Sequence, residues 1–165
     1  MAADIVVGSR VPEVRLGYLK DGEVHDILAR DVFQHHRAVV IGVPGAFTPV
    51  CTRQHIPDFV KGARKLRASG FTELVCIAPN DPFVLHEWAL ALDPRKRLQF
   101  LSDGNLDFAG ALGLTSTNRA LFLGWRSERY MMIVENGIIT RLRVEPDILT
   151  YSDTRPALTW EVEVA

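Results

Sequence analysis

The chain has 165 residues, with 19 lysines and arginines against 20 aspartates and glutamates. This balance gives no net basic surface that would attract nucleic acid or an anionic membrane. The length favours one domain, residues 1–165, that can bury a substantial core without disulfides. The longest apolar runs are far shorter than the roughly 20 residues that span a bilayer.

The N-terminal residues 1–8 contain no basic segment and no long apolar segment, so they are unlike a secretory signal or a transit peptide. We therefore expect a cytoplasmic protein, with an organelle as the alternative if a presequence is missing. Cys51 and Cys76 are the two cysteines of the chain. Two cysteines do not form a disulfide scaffold.

The first part of the chain predicts a hairpin followed by a central strand. Asp21-Gly22 lies between apolar segments at 14–18 and 24–27, which is a typical hairpin signal. Residues 26–33 predict a short helical turn. The continuous apolar run at 39–43 predicts a buried strand.

A helix is predicted over residues 52–69. Phe59, Ala63 and Leu66 recur at i, i+4 and i+7, so they form an apolar stripe that faces the core. Pro57 lies inside this segment and should kink the helix or end its first section, because it has no backbone N–H.

Strands and helices alternate through the rest of the chain, which predicts an α/β fold with a mixed central sheet. The clearest turn is Asn136-Gly137, whose residue types suit the positive φ angles of a type I′ hairpin. The pattern fades after residue 147, where an extra strand at 160–164 or a loose tail is predicted. The other predicted elements are strands at 71–78, 98–101, 130–135 and 138–144 and helices at 83–92 and 106–112, the former capped by Asn80 or Asp81.

Cys51 follows a loop rich in proline and glycine, and it opens the predicted helix after the strand at 39–43. The backbone amides and the dipole at a helix N-terminus favour a thiolate over a thiol. Thr48 lies three residues upstream, about one turn away, so we expect its hydroxyl to point at the same sulfur. This segment is the strongest candidate for chemistry in the chain.

The segment at 43–52, with the sequence VPGAFTPVCT, resembles the active-site motif of the peroxiredoxins, and of their type II or type five (plant-like) subgroup in particular. The resemblance covers residues 4–147 and implies a thioredoxin-like fold, flanked by helices and with an extra N-terminal hairpin. It implies thiol-dependent reduction of hydrogen peroxide and organic hydroperoxides, in cell redox homeostasis, without a cofactor. Further matching segments follow in the same order at 76–84, 88–89, 126–130 and 134–137.

The resemblance also implies roles for individual residues. Cys51 corresponds to the peroxidatic cysteine, and Pro44 and Thr48 correspond to its loop partners. Arg129 corresponds to the active-site arginine, with Arg126 as a weaker alternative.

Ionisation of the cysteine does not by itself account for a fast peroxidase. An ordinary cysteine is only about 3% thiolate at pH 7, so full ionisation gains about 30-fold. A thiolate that forms this readily is also less basic and so a weaker nucleophile. This lowers the rate about tenfold, on the Brønsted slope of about 0.4–0.5 that holds for disulfide exchange. Most of the rate must therefore come from groups that orient and polarise the peroxide. These groups are Arg129, Thr48 and the backbone N–H groups of Gly45 and Cys51.

Two routes are open for reducing the sulfenic acid that the reaction leaves on Cys51. Cys76 matches the second cysteine of the plant-like subgroup, where an intramolecular disulfide has been proposed. However, Cys76 lies in the middle of the apolar strand at 71–78, and a disulfide requires Cα atoms within about 7 Å. The alternative is direct reduction by glutathione, glutaredoxin or thioredoxin.

The resemblance further implies a homodimer formed through loops around the active site. Phe47 and Phe83 are candidates for that contact, although Phe47 and Trp88 are also candidates for the core. No nucleic-acid or membrane partner is expected.

Three other functions fit the sequence less well. A redox-sensing or signalling protein with the same fold would not need Arg129 and Thr48 to activate peroxide. A thiol–disulfide oxidoreductase is disfavoured because the chain has no Cys-x-x-Cys. A metal site formed by Cys51, His55 and Cys76 is disfavoured because no fourth ligand is evident.

Overall fold

In the computed structural model, which describes residues 7–145, a central sheet of seven strands carries helices on both faces. The strands of these residues are β1 (Arg15–Lys20), β2 (Glu23–Leu28), β3 (Arg37–Gly42), β4 (Glu73–Ala78), β5 (Gln99–Ser102), β6 (Thr115–Thr117), β7 (Trp125–Ser127), β8 (Arg129–Glu135) and β9 (Ile138–Glu145). The helices are α1 (Ala29–Phe33), α2 (Ile56–Ala68), α3 (Pro82–Leu92) and α4 (Asp107–Ala111), and a π-helical turn spans Cys51–His55.

The strand order in the central sheet is β2-β1-β5-β4-β3-β8-β9, and β6 pairs separately with β7. β3, β4 and β5 run parallel, whereas the pairs at both edges of the sheet are antiparallel. This arrangement confirms the predicted α/β fold with a mixed sheet. Within residues 7–145, no helix is both long enough and apolar enough to cross a membrane.

Both predicted hairpins are present. Asp21 and Gly22 join β1 to β2, and Asn136 and Gly137 join β8 to β9. All four residues have positive φ angles, between 49° and 80°. Aspartate, asparagine and glycine tolerate this conformation better than other residues, so the two dipeptides fix both turns.

The central strands alternate their side chains between two cores. Val39 of β3 faces the core beneath α2 and α3, and Val40 faces the core beneath α1 and α4. Because both faces of the sheet are covered, β3 and β4 are continuous apolar runs in the sequence. Cys51 and Cys76 both belong to the core beneath α2 and α3.

The predicted kink at Pro57 takes the form of a π-helical turn. Pro57 has no N–H to donate to the carbonyl of Arg53, so the ordinary i+4 hydrogen bond cannot form there. Instead, the N–H of Ile56 donates to the carbonyl of Cys51, five residues back, and α2 begins at Ile56. The helix predicted over 52–69 is thus divided, and Cys51 lies in its wider first turn. Turns of this kind are frequent at functional sites.

The structure differs from the sequence predictions in three further segments. Residues 26–28 extend β2, so the helix predicted over 26–33 is shortened to α1, and the strand predicted over 71–78 begins at Glu73. β6 and β7 have no counterpart among the predictions, because strands of three residues leave no readable period in a sequence. The strand predicted at 160–164 lies outside the described residues.

Candidate active site

Cys51 lies at the start of the π-helical turn, at the end of the loop that leaves β3. The N–H of Thr52 donates to the carbonyl of Thr48 at 3.0 Å, so one turn of backbone connects the motif threonine to the motif cysteine. Cys51 is fully buried, with 0% of the residue exposed. A thiolate at this position is shielded from bulk water and depends on nearby donors for stabilisation.

Arg129 brings a positive charge to the Cys51 sulfur. Its Nη2 lies 3.7 Å from Cys51 Sγ, and the residue is only 1% exposed. Tyr130 pairs with Gly42 at the end of β3, and its side chain faces the core beneath α1 and α4. Because side chains alternate between the two faces along β8, Arg129 lies on the opposite face, where Cys51 also lies. Sheet pairing thus brings together two residues that are 78 positions apart in the chain.

Arg126, the weaker alternative, contacts the loop rather than the sulfur. Its Nε donates to the carbonyl of Leu123 at 2.9 Å, and its Nη1 donates to the carbonyl of Pro44 at 3.4 Å. A Cβ on Gly45 would lie 2.6 Å from Arg126 Nη1, so a glycine is needed for this close approach. Pro44 and Gly45 are both buried. Arg126 therefore braces the segment that leads to the cysteine.

The Thr48 hydroxyl does not make the contact that its sequence position predicts. It donates to the carbonyl of Gly45 at 2.7 Å, and within residues 7–145 no hydrogen bond joins it to Cys51 Sγ. The cause is local, because a hydroxyl readily bonds to a carbonyl three residues earlier in the same turn. The hydroxyl oxygen still has lone pairs with which it can accept a hydrogen bond from a peroxide.

Asn80 anchors the loop from the neighbouring strand connection, a contact that is absent from the sequence predictions. Asp81 is the N-cap of α3, where its carboxylate accepts from the N–H of Val84 at 2.9 Å. The side chain of Asn80 is therefore available for the loop, and its Oδ1 accepts from the N–H of Ala46 at 2.8 Å. Because either residue suits a helix N-cap, the sequence alone does not separate the two roles.

The aromatic side chains near the loop divide between core and surface. Trp88 is fully buried, as predicted, and its Nε1 donates to the Thr52 hydroxyl at 3.1 Å. Phe47 is 58% exposed, so of its two predicted places, the core and an interface, the core is excluded. Its φ angle of 64° is rare for a bulky residue.

Cys76 lies in the centre of β4, paired with Ile41 of β3 on one side and Phe100 of β5 on the other. The residue is fully buried, and both cysteines are free thiols. Burial first, and the charge of Cys51 second, hold the pKa of the Cys76 thiol well above its ordinary value. Cys76 therefore stays protonated in the closed fold.

His55 is a buried residue of the site that sequence reasoning considered only as a metal ligand. It ends the π-helical turn and is 2% exposed. Burial first, and the positive charge of Arg129 second, lower the pKa of His55 from 6.5 to about 3. Among residues 7–145, no group of three or more His, Cys, Asp or Glu side chains could hold a metal ion, and this includes Cys51, His55 and Cys76.

We predict that His55 makes the fold less stable in mild acid. In the unfolded chain His55 binds a proton with its ordinary pKa of 6.5, whereas in the fold that pKa is about 3. The unfolded state therefore binds more protons between these values, so the free energy of unfolding falls as the pH drops from 6.5 towards 3. His55 should contribute a loss of about 2 kcal/mol between pH 7 and pH 5, measured by urea unfolding.

The matched control is His55→Gln, whose side chain does not titrate. The loss of unfolding free energy between pH 7 and pH 5 should be smaller in this variant by the same amount, about 2 kcal/mol. An equal loss in both proteins would show that the histidine is not held neutral in the fold.

The amino-acid sequence is similar to those of known proteins. A family profile described as Redoxin matches residues 6–158. The chain is 36% identical over 149 residues to Peroxiredoxin-2E, chloroplastic, of Arabidopsis thaliana, with 88% of this chain covered, and it spans 64% of the length of that relative. It is 35% identical over 145 residues to Peroxiredoxin-2C of Oryza sativa subsp. japonica, with 87% of this chain and 89% of the relative covered.

A solved structure has the same fold. Reduced Prx3 from Vibrio vulnificus, in complex with hydrogen peroxide, matches with a TM-score of 0.85 at 31% sequence identity. The match covers 96% of this chain and 98% of that chain. The predicted thioredoxin-like fold is thereby confirmed.

Proposed function

Because this chain belongs to the redoxin family and is a peroxiredoxin, a thiol-dependent peroxidase, we propose that Cys51 is its peroxidatic cysteine. The observation that carries the proposal is the Arg129 guanidinium 3.7 Å from a fully buried Cys51 sulfur. The Cys51 thiolate attacks one oxygen of hydrogen peroxide or of an organic hydroperoxide, and the O–O bond breaks. Sulfur is oxidised to a sulfenic acid, and the other oxygen takes a proton and leaves as water or an alcohol.

Arg129 stabilises the charge that moves during this step. Negative charge passes from the sulfur of Cys51 to the departing oxygen, and a guanidinium within reach of Sγ can act on both. Arginine is suited to this because it stays protonated and offers several donors in a fixed plane. The N–H groups of Gly45 and Cys51 bind a peroxide oxygen, and the Thr48 hydroxyl accepts a hydrogen bond from the peroxide. Pro44 covers the sulfur from bulk water.

An external thiol, rather than Cys76, reduces the sulfenic acid in this proposal. Cys76 is enclosed between β3 and β5 and holds its proton, whereas attack on a sulfenic acid requires a thiolate. Reduction of the Cys51 sulfenic acid by an external thiol requires only that the loop before Cys51 and the π-helical turn open. Glutathione, glutaredoxin and thioredoxin are the candidate reductants.

Two exposed aromatic side chains support the homodimer that the family suggests. Phe47 in the active-site loop is 58% exposed and Phe83 in α3 is 56% exposed. The Phe47 ring lies 6.5 Å from the ring of Trp88, which also belongs to α3, so both exposed rings border that helix. A second copy of the chain would cover them. A cytoplasmic location stays a prediction.

We expect one equivalent of peroxide to oxidise Cys51 and to leave Cys76 as a free thiol. Mass spectrometry should find a Cys51 sulfenic acid, or a mixed disulfide when a small thiol is present. Steady-state turnover with hydrogen peroxide and a thiol reductant should persist in Cys76→Ser, because Cys76 takes no part in the cycle, and should vanish in Cys51→Ser.

A Cys51–Cys76 disulfide, together with loss of turnover in Cys76→Ser, would instead assign the resolving role to Cys76. The same assay separates a peroxidase from a redox sensor. A single oxidation without continued turnover in the presence of reductant would argue against the proposed function.

A further inference from the structure

A concentration of positive charge lies on the outer side of α2, although the chain as a whole has a formal net charge of −1 at pH 7. We call this surface the basic face. It consists of residues 95–97, in the loop after α3, and of the exposed cations of α2, which are Lys61, Arg64, Lys65 and Arg67. We propose that the basic face docks an acidic dithiol protein that reduces the Cys51 sulfenic acid. This inference rests on the proposed function of Cys51.

Hydrogen bonds join the loop to the helix, so the basic face is one surface. Arg67 Nη2 donates to the carbonyl of Arg97 at 3.1 Å, and Arg97 Nη1 donates to the carbonyl of Val60 at 3.2 Å. Val60, Arg64 and Arg67 recur at i, i+4 and i+7, so Arg64 lies on the same side of α2, between the two contacts. Arg67 Nη1 also donates to the carbonyl of Thr72 at 3.2 Å. Backbone carbonyls thus hold two of the guanidiniums in place, which lowers the entropy cost of using them in an interface.

The charges of the basic face are not balanced by carboxylates in the part of the chain that the structure describes. Among residues 7–145, no ion pair joins any of these cations to an aspartate or a glutamate. Asp93 lies at the start of the loop, but its two carboxylate oxygens accept from the backbone N–H groups of Arg97 and Leu98, at 2.9 and 2.7 Å. The positive charge of this surface is therefore available to an anionic partner.

The crowding of like charges on α2 costs stability, which favours a role in binding. Lys61 and Lys65 lie four residues apart and Arg64 and Arg67 lie three apart, spacings at which like charges repel each other on a helix. The dipole of α2 favours the cations of its last turn, Lys65 and Arg67, but not Lys61 or Arg64. An acidic surface relieves the repulsion when it binds.

The length of the basic face fits a protein better than a small thiol. Positive charge continues towards the cysteine at Arg53, an exposed residue of the π-helical turn that begins at Cys51. About 21 Å of helix separate Arg53 from Arg67, at 1.5 Å per residue. A tripeptide thiol such as glutathione spans at most about 11 Å, whereas one side of a standard protein interface, about 800 Å², is about 30 Å across. A protein held on α2 can bring a thiol to Cys51 once the turn opens.

The reduction uses two thiols of the docked protein. The first, as a thiolate, attacks the sulfur of the Cys51 sulfenic acid, so that a disulfide forms between the two proteins and the hydroxide takes a proton and leaves as water. The second loses its proton and attacks the sulfur of the first, and Cys51 leaves as a thiolate. The two thiols are thereby oxidised to a disulfide, and Cys51 is reduced by two electrons.

The test compares a basic-face variant, Lys61→Glu with Arg64→Glu, with a control variant, Arg10→Glu with Arg30→Glu. All four cations are exposed, and both double substitutions change the net charge by the same amount. Arg10 and Arg30 are adjacent in the chain to Val11 and Ala29, which belong to the core beneath α1 and α4, on the other face of the sheet. Each protein is oxidised with one equivalent of hydrogen peroxide. Stopped-flow fluorescence then follows reduction by an acidic thioredoxin, by glutathione and by uncharged dithiothreitol.

We expect the basic-face variant to be reduced by thioredoxin about 10-fold to 100-fold more slowly than the wild type at low salt, because it has lost electrostatic steering. The control variant should stay within about threefold of the wild type. Dithiothreitol should reduce all three proteins at rates within about threefold of each other, because it needs no docking. Added salt should slow the reaction of thioredoxin with the wild type more than its reaction with the basic-face variant.

Equal losses with thioredoxin in the two variants would overturn the proposal. A loss with glutathione as large as that with thioredoxin would also overturn it, since the basic face would then attract small anions rather than dock a protein. An equal loss with dithiothreitol would do the same, because the substitutions would then act on the opening of the turn. Failure of the proposed function is distinguishable, since wild-type Cys51 would then form no sulfenic acid with peroxide before any reductant is added, which would overturn both.

Discussion

Arg129→Ala is expected to slow the reduction of hydrogen peroxide by about 100-fold to 1,000-fold, the usual cost of removing a donor that faces developing charge. The reason is the position of the guanidinium, whose Nη2 lies 3.7 Å from Cys51 Sγ in a site that excludes water. Alanine removes both the charge and the fixed donors. Stopped-flow measurement of the second-order rate constant at pH 7 gives the size of the effect.

Arg126→Ala is the matched control, because it removes a second guanidinium of the site, one that contacts the loop instead of the sulfur. Arg126 donates to the carbonyls of Leu123 and Pro44 rather than to the sulfur. Its loss should loosen the loop and slow the reaction by about tenfold or less. Equal losses in Arg126→Ala and Arg129→Ala would mean that the charge near the loop matters and its contact with sulfur does not.

Gly42→Ala is expected to destabilise the fold by about 3 kcal/mol, at the upper end of the usual cost of overpacking. The added Cβ would overlap the ring of Tyr130, the cross-strand partner of Gly42 on β8. Tyr130 is buried, so its ring has no open space into which it could move. Because Arg129 precedes Tyr130 on β8, the same clash should displace the guanidinium and slow the peroxidase. Urea unfolding measures the first effect.

Gly62→Ala provides the control for the glycine substitution. Gly62 lies in α2, where an added Cβ would meet nothing within 4 Å. Replacement of a helical glycine by alanine should stabilise the protein by about 0.5–1 kcal/mol. A Gly42→Ala protein as stable as the wild type would show that β3 and β8 can separate without cost, contrary to the packing described here.

The sequence predicted the elements whose cause is local. The two hairpins follow from Asp21-Gly22 and Asn136-Gly137, because these dipeptides accept positive φ angles that other residues avoid. The missing N–H of Pro57 predicted the kink, but only the structure showed that the kink is a π-helical turn. The family resemblance supplied the pairing of Cys51 with Arg129, which no local pattern could have given, since β3 and β8 meet only in the folded sheet.

Other features of the site depend on competition between partners that a sequence does not resolve. The Thr48 hydroxyl could bond to the Cys51 sulfur or to the Gly45 carbonyl, and the structure selects the carbonyl. Asn80 and Asp81 could each cap α3, and the choice of Asp81 leaves Asn80 to hold the loop. These outcomes are set by the spatial arrangement of segments, which the folded chain alone determines.

The most direct test asks whether Arg129 activates the peroxide or merely ionises the cysteine. The rate constant for hydrogen peroxide should be measured across pH in the wild type and in Arg129→Ala, up to the plateau where Cys51 is fully thiolate in both. We predict that the variant remains about 100-fold slower at the plateau, because the peroxide lacks its donor even when the nucleophile is ionised. Equal plateau rates in the wild type and in Arg129→Ala would contradict the role assigned to Arg129. They would mean that Arg129 only promotes the ionisation of Cys51.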